Sequence, residues 1–190
     1  MNAVPRARAA NAKQFLEFLE GFRPGTAVEL RSALAPEIMA AVLGSARTDW
    51  NGLKVDGPFV TAIVSCLGVD QARTAWRRFA DEQFIHMRAI RAIFDGAQRL
   101  FGLSVGALVR VAPLAFQQGF RDFGEMRVAV SDRHATIEIA VVPEVLPHLE
   151  AYAVLFHGMF LGMYDIVGVE PELDFQVSGS DRKIVAAFRW

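Results

Sequence analysis

The chain has 190 residues, with 20 basic against 21 acidic, a formal net charge of -1, and a mean hydropathy of +0.26. That length suits a single domain spanning 1–190, and the balanced charge excludes bulk attraction to nucleic acid or to an anionic membrane. With 53% of its residues hydrophobic, the chain has either an unusually apolar core or apolar surface that a ligand or partner covers, and near-neutral charge gives little protection against self-association.

Residues 1–10 carry two arginines and no apolar segment of the kind a secretory leader needs, and nothing in them obliges the chain to fold. The first expected helix covers 11–22, with Asn11 as its N-cap and Phe15, Leu19 and Phe22 on one stripe, and Arg23-Pro24-Gly25 stops it. Helices over 26–34 and 36–44 follow, the second started by Pro36. Residues 48–52 read as a turn. Pro58 is expected to open a helix through Phe59, Ile63 and Leu67 that Gly68 closes. The lone cysteine, Cys66, lies in this apolar run; it cannot form an intramolecular disulfide, which suits a reducing cytoplasm.

Asp70 is placed to cap the longest expected helix, 71–94. If that helix is continuous, Trp76, Phe79, Met87, Ile90 and Phe94 fall within about 80° of one another, and Arg73, Arg77, Arg88 and Arg91 occupy a separate arc. A helix over 105–116, with Pro113 inside it, completes a helical part spanning 11–120.

The character changes in 121–190. Met126, Val128 and Val130 alternate with polar or small residues and pair with a return strand over 136–142, with 131–134 as the turn. A second hairpin sets Leu173, Phe175 and Val177 against Ile184, Ala186 and Phe188. Between the hairpins runs an apolar helix over 147–167. Its longest apolar stretch, 151–164, is interrupted by His157 and is shorter than the roughly 20 residues a membrane span needs, so it reads as a buried helix with no transmembrane segment. The expected fold is α+β: an N-terminal helical bundle packed on a four-stranded antiparallel sheet made of two hairpins that flank a long helix.

This order of elements resembles the superfamily that joins the haem-NO-binding (H-NOX) domain, vinyl-reductase-like small-molecule domains and certain TRAPP vesicle-tethering subunits. Within it, the chain is most similar to a paralogous family of uncharacterised myxobacterial domains. The matching stretches run from Trp50-Asn-Gly-Leu-Lys-Val-Asp56 to Gly68, from Leu114 to Gly124, and from His157 to Trp190. The resemblance implies an apolar cavity between helices and sheet, and often a homodimer; it implies no shared chemistry. Haem-binding relatives use a proximal histidine ahead of the sheet and a Tyr-x-Ser-x-Arg grip on the propionates. Here the nearest string, Ala129-Val-Ser-Asp-Arg133, has alanine in place of tyrosine, and no histidine lies between His86 and His134, so no haem is expected.

Several groups of residues remain as candidate sites. Trp50, Trp76, Phe79, Met87, Phe94, Phe116, Phe156, Met159 and Phe160 could form the flat, adaptable walls of a ligand pocket, although an ordinary packed core explains them too. His157 could bond a ligand, but a buried histidine satisfied by a backbone carbonyl is the commoner arrangement. Gly158 and Gly162 leave one ridge of their helix bare, for packing on the sheet or for a dimer seam. The arginines 73, 77, 88 and 91 could receive an anion or an acidic partner, or form a solvated face.

No histidine pair has metal-site spacing on a helix, so no metal is expected. The sequence also lacks the nucleophile-elbow, phosphate-loop, zinc-protease and dinucleotide motifs, and no enzyme is expected. The expectation is a non-catalytic, cytoplasmic, homodimeric module that binds an apolar small molecule or lipid. A homodimeric protein-interaction scaffold is the alternative, and a haem gas sensor comes last.

Overall fold

A computed structural model describes residues 4–82 and 88–190, and the side chains of Arg88 and Ala89 are not among what it describes. The domain is α+β: a helical bundle lies against a four-stranded antiparallel sheet, as the hairpin pattern predicts. Its strands are β4 (Gly124–Val130), β5 (His134–Val141), β6 (Glu172–Ser178) and β7 (Lys183–Arg189), in the order β4-β5-β7-β6. The register is the one the alternation requires. Val128 faces Ile137, Ile137 faces Ala186, and Leu173 faces Phe188, so Met126, Val128, Ile137, Ile139, Leu173, Phe175, Ile184 and Phe188 share one face. The opposite face carries the Glu138–Lys183 pair.

A 3-10 segment (Pro143–His148) leads into α8 (Leu149–Val167), which crosses the buried face of the sheet. Phe160 meets Phe188 edge-on, with ring centroids 5.5 Å apart. Tyr164 holds the helix to the sheet edge: its hydroxyl lies 2.7 Å from the Glu172 carbonyl and 3.0 Å from that of Arg189, and accepts the Arg189 N–H at 3.1 Å. Tyr164→Phe leaves these backbone groups without their partner and should cost about 1–3 kcal/mol, seen as a lower urea midpoint with an unchanged m-value.

The N-terminal residues differ from the expected tail. Arg6–Arg8 form β1, the centre of a second, three-stranded sheet between β2 (Trp50–Gly52) and β3 (Phe120–Arg121). Pairing with two strands that lie far away in sequence orders this stretch, and local propensity does not report such pairing. The 48–52 turn accordingly supplies strand β2. Strand β1 feeds straight into α1 (Ala9–Phe22), whose first N–H bonds the Asp49 carbonyl, so Asn11 sits inside the helix and does not cap it. After α2 (Thr26–Ala33) and α3 (Pro36–Gly44), α4 runs Leu53–Leu67 and begins five residues before Pro58. The Leu53 N–H is held by the Pro5 carbonyl, and Gly57 is required because a β-carbon there would fall within 2.3 Å of the His148 ring. Gly68, at φ +76°, closes α4 as expected.

Of the expected helix 71–94, the described residues supply α5 (Val69–Glu82) and α6 (Arg88–Phe101), with 83–87 outside the described residues. α5 lies along α8, where Arg77 pairs with Asp165 and Gly162 lies against Ala80. α6 packs on α7 (Val105–Gly119). Ser104 caps α7 by accepting the Ala107 N–H at 3.1 Å.

Candidate functional site

Two aromatic clusters form the core, and a cavity lies between them. In the first, Phe15 from α1 stacks on Trp76, centroids 3.4 Å apart and planes within 8°, while Phe79 meets Phe15 edge-on at 5.1 Å. In the second, Phe116, Phe120, Phe123, Tyr152 and Phe156 join α7, β3 and α8, with Phe123 edge-on to Tyr152 at 4.7 Å. The cavity, about 140 Å³, is walled by Trp76, Phe79 and Ala80 of α5, Ile90, Ile93 and Phe94 of α6, Leu108, Ala112 and Phe116 of α7, and Leu155, Phe156, Met159, Phe160, Met163 and Ile166 of α8. A second, more polar cleft shares Phe116, Phe120 and Met126 with it.

Of the residues singled out in the sequence, Trp76, Phe79, Phe94, Phe116, Phe156, Met159 and Phe160 meet around this cavity. Two others do not join them. Trp50 lies on the small sheet, flanked by the guanidinium groups of Arg8 at 4.9 Å and Arg121 at 4.1 Å, because β2 pairs with β1 and so directs it away from the bundle. His157 faces the sheet and stacks on Phe175 at 4.4 Å, with no hydrogen bond among the described residues. Burial, and next the Arg73 charge, push its pKa down to about 4, so it is neutral at physiological pH. Met87 lies outside the described residues.

Gly158 and Gly162 serve neither the sheet nor a dimer seam. They let α5 pack directly on α8: a β-carbon at 158 would fall 2.5 Å from the Arg73 carbonyl, and one at 162 would fall 2.6 Å from the Ala80 β-carbon. The arginine arc is largely neutralised within the chain. Arg77 makes a two-pronged pair with Asp165, both bonds 2.6 Å, Arg73 pairs with Asp70, and Arg91 pairs with Asp95 at 3.0 Å. The Arg88 side chain lies outside the described residues.

The sequence reading did not single out the carboxyl on the cavity wall. Asp56, 6% exposed, lines the cavity from α4 beside Phe59 and Val60. Its Oδ2 accepts the Tyr152 hydroxyl at 2.6 Å. Burial pushes its pKa up to about 6 despite that bond, and the Tyr152 phenol is driven well above its ordinary range by burial and then by the Asp56 charge. The signal was present: Asp56 falls on the same helical stripe as Phe59, Val60, Ile63 and Leu67, provided the helix starts before Pro58. Asn11 is the other polar side chain on the wall; its amide fits against Gly119, where a β-carbon would be 3.2 Å away.

Among the described residues no group of three or more His, Cys, Asp or Glu converges as a metal site would require. Ala129 and Arg133 are exposed at the first hairpin and do not line the cavity. Cys66 is half-buried, and burial, then Glu29, push its thiol pKa up, which suppresses the thiolate. No described helix is long and apolar enough to cross a membrane. In comparison with known proteins, the chain matches no family model and no curated protein.

Proposed function

We propose that this domain is a non-catalytic binding module that holds a small apolar molecule between α5, α6, α7 and α8. One observation carries the reading: a cavity of about 140 Å³ whose walls are almost wholly aromatic and aliphatic. Methionines 159 and 163 give part of the wall an adaptable surface, and α6, which rests on α7, closes one side. The resemblance to the haem-NO-binding, vinyl-reductase-like and TRAPP superfamily supports the same reading.

Toluene tests the proposal. At about ten times its Kd it should stabilise the domain by about 1.4 kcal/mol, a rise of about 3–5 °C in Tm. Ala112→Leu, which places extra volume in the cavity, should abolish that rise while the variant stays folded. No shift in the wild type, together with nothing apolar recovered by solvent extraction and mass spectrometry, would sink the reading.

A second reading, a homodimeric interaction scaffold, is favoured by Leu100, Phe101 and Leu103, apolar and exposed at the end of α6 and the turn that follows. Light scattering should then find a dimer that Leu100→Glu dissociates; a wild-type monomer counts against it.

A further inference from the structure

Asp56 is a buried carboxyl on a mostly apolar wall, and among the described residues only one of its oxygens is hydrogen-bonded. Oδ2 takes the Tyr152 hydroxyl, while Oδ1 has no hydrogen bond among the described residues. The residue that carries Oδ1 lines the cavity. A buried carboxyl with spare acceptor capacity costs stability unless a donor reaches it. Tyr152 is fully buried beside Phe120 and Phe123, so the carboxyl is braced from behind and its open side is the cavity side. The cavity is close in volume to the roughly 150 Å³ apolar cavity that accepts benzene.

We propose that Asp56 is the anchoring residue for the ligand: the domain selects a small molecule with a single-ring-sized apolar body and one hydrogen-bond-donating group, an amine or a hydroxyl, which donates to Asp56 Oδ1. This rests on the binding function proposed above. The apolar walls set size and shape, and the one polar contact sets orientation, since leaving it unmade keeps a buried acceptor unpaired.

Three probes of matched ring size separate the possibilities: toluene, benzyl alcohol and benzylamine, each titrated calorimetrically at pH 7.5. In the wild type both donors should bind about tenfold tighter than toluene, the size expected for a hydrogen bond to a charged acceptor. An advantage of benzylamine over benzyl alcohol identifies an amine ligand, and the reverse identifies a hydroxyl. Asp56→Asn should remove the benzylamine advantage, and Asp56→Leu the advantage of both donors. In each variant the donor advantage is read as a ratio to that variant's own toluene affinity, so a change in the cavity itself cancels. If toluene binds the wild type as tightly as the two donors, the role of Asp56 is overturned and the binding cavity stands. If none of the three binds, the binding function itself falls.

Discussion

Gly158→Ala should lower the unfolding free energy by about 3 kcal/mol, and Gly158→Val should leave little folded protein to measure. The added β-carbon would meet the Arg73 carbonyl at 2.5 Å and the Trp76 β-carbon at 2.6 Å. One of those atoms belongs to the backbone of a packed helix and the other sits at the root of a buried ring. Neither can swing aside, so α5 must move off α8. Gly21→Ala, at a helical site with nothing within 4 Å, is the matched control and should be neutral or stabilising by up to about 1 kcal/mol. Guanidinium unfolding of the three variants reads the effect directly. Displacing α5 also moves Trp76, Phe79 and Ala80, all cavity walls, so Gly158→Ala should weaken toluene binding even where it folds. Equal stability of Gly158→Ala and Gly21→Ala would show that the helices are not held at the close distance described.

The second large effect runs in the opposite direction and depends on pH. Asp56 has its pKa raised from 3.8 to about 6 in the folded protein. A raised pKa means that the folded state holds its proton more tightly than the unfolded state. The contribution is therefore fully present below about pH 4 and is lost as pH rises through 6. Above pH 7 the native protein carries a buried carboxylate at a cost of about 3 kcal/mol, from 1.36 kcal/mol per pKa unit. Asp56→Asn retains an acceptor for the Tyr152 hydroxyl and removes that charge. It should raise stability by up to about 3 kcal/mol at pH 7.5, with the gain disappearing near pH 4. The quantity to measure is the difference between variant and wild type across pH 4–8, because it cancels the other carboxylates. A residue whose replacement stabilises the fold but removes ligand selectivity is retained for binding. A flat difference across that range would mean that Asp56 is ionised as easily in the folded chain as in the unfolded one.

The sheet was legible in the sequence because each strand decides its face locally. Met126, Val128 and Val130 could register against Ile139, Ile137 and Ala135 only as they do, since a slip of one residue would expose the whole set. The cavity aromatics were legible for a similar reason. Phe79, Phe156 and Phe160 fall on apolar helical faces, and such faces turn inward.

Other features depended on partners distant in the chain. The phase of 71–94 told which face of α5 turns inward, but not that α8 receives it, with Arg77 meeting Asp165 and Gly162 meeting Ala80. Residues 6–8 carry no strand pattern of their own; they are ordered by β2 and β3, more than forty and one hundred residues away. The bare ridge of Gly158 and Gly162 announced a close approach without naming the neighbour, and the neighbour is α5 of the same chain.

Asp56 marks the division most clearly. As a letter between Val55 and Gly57 it reads as one more acidic residue near a helix start. Hydrophobic periodicity reports which face of an element is buried, and it is a property of consecutive residues. Whether a buried polar atom has a partner depends on which side chains the fold brings together, here Tyr152, 96 positions away. The sequence determined an apolar, two-layered domain, and the tertiary structure decided that an open space remains between its helices, with the Asp56 carboxyl on the wall.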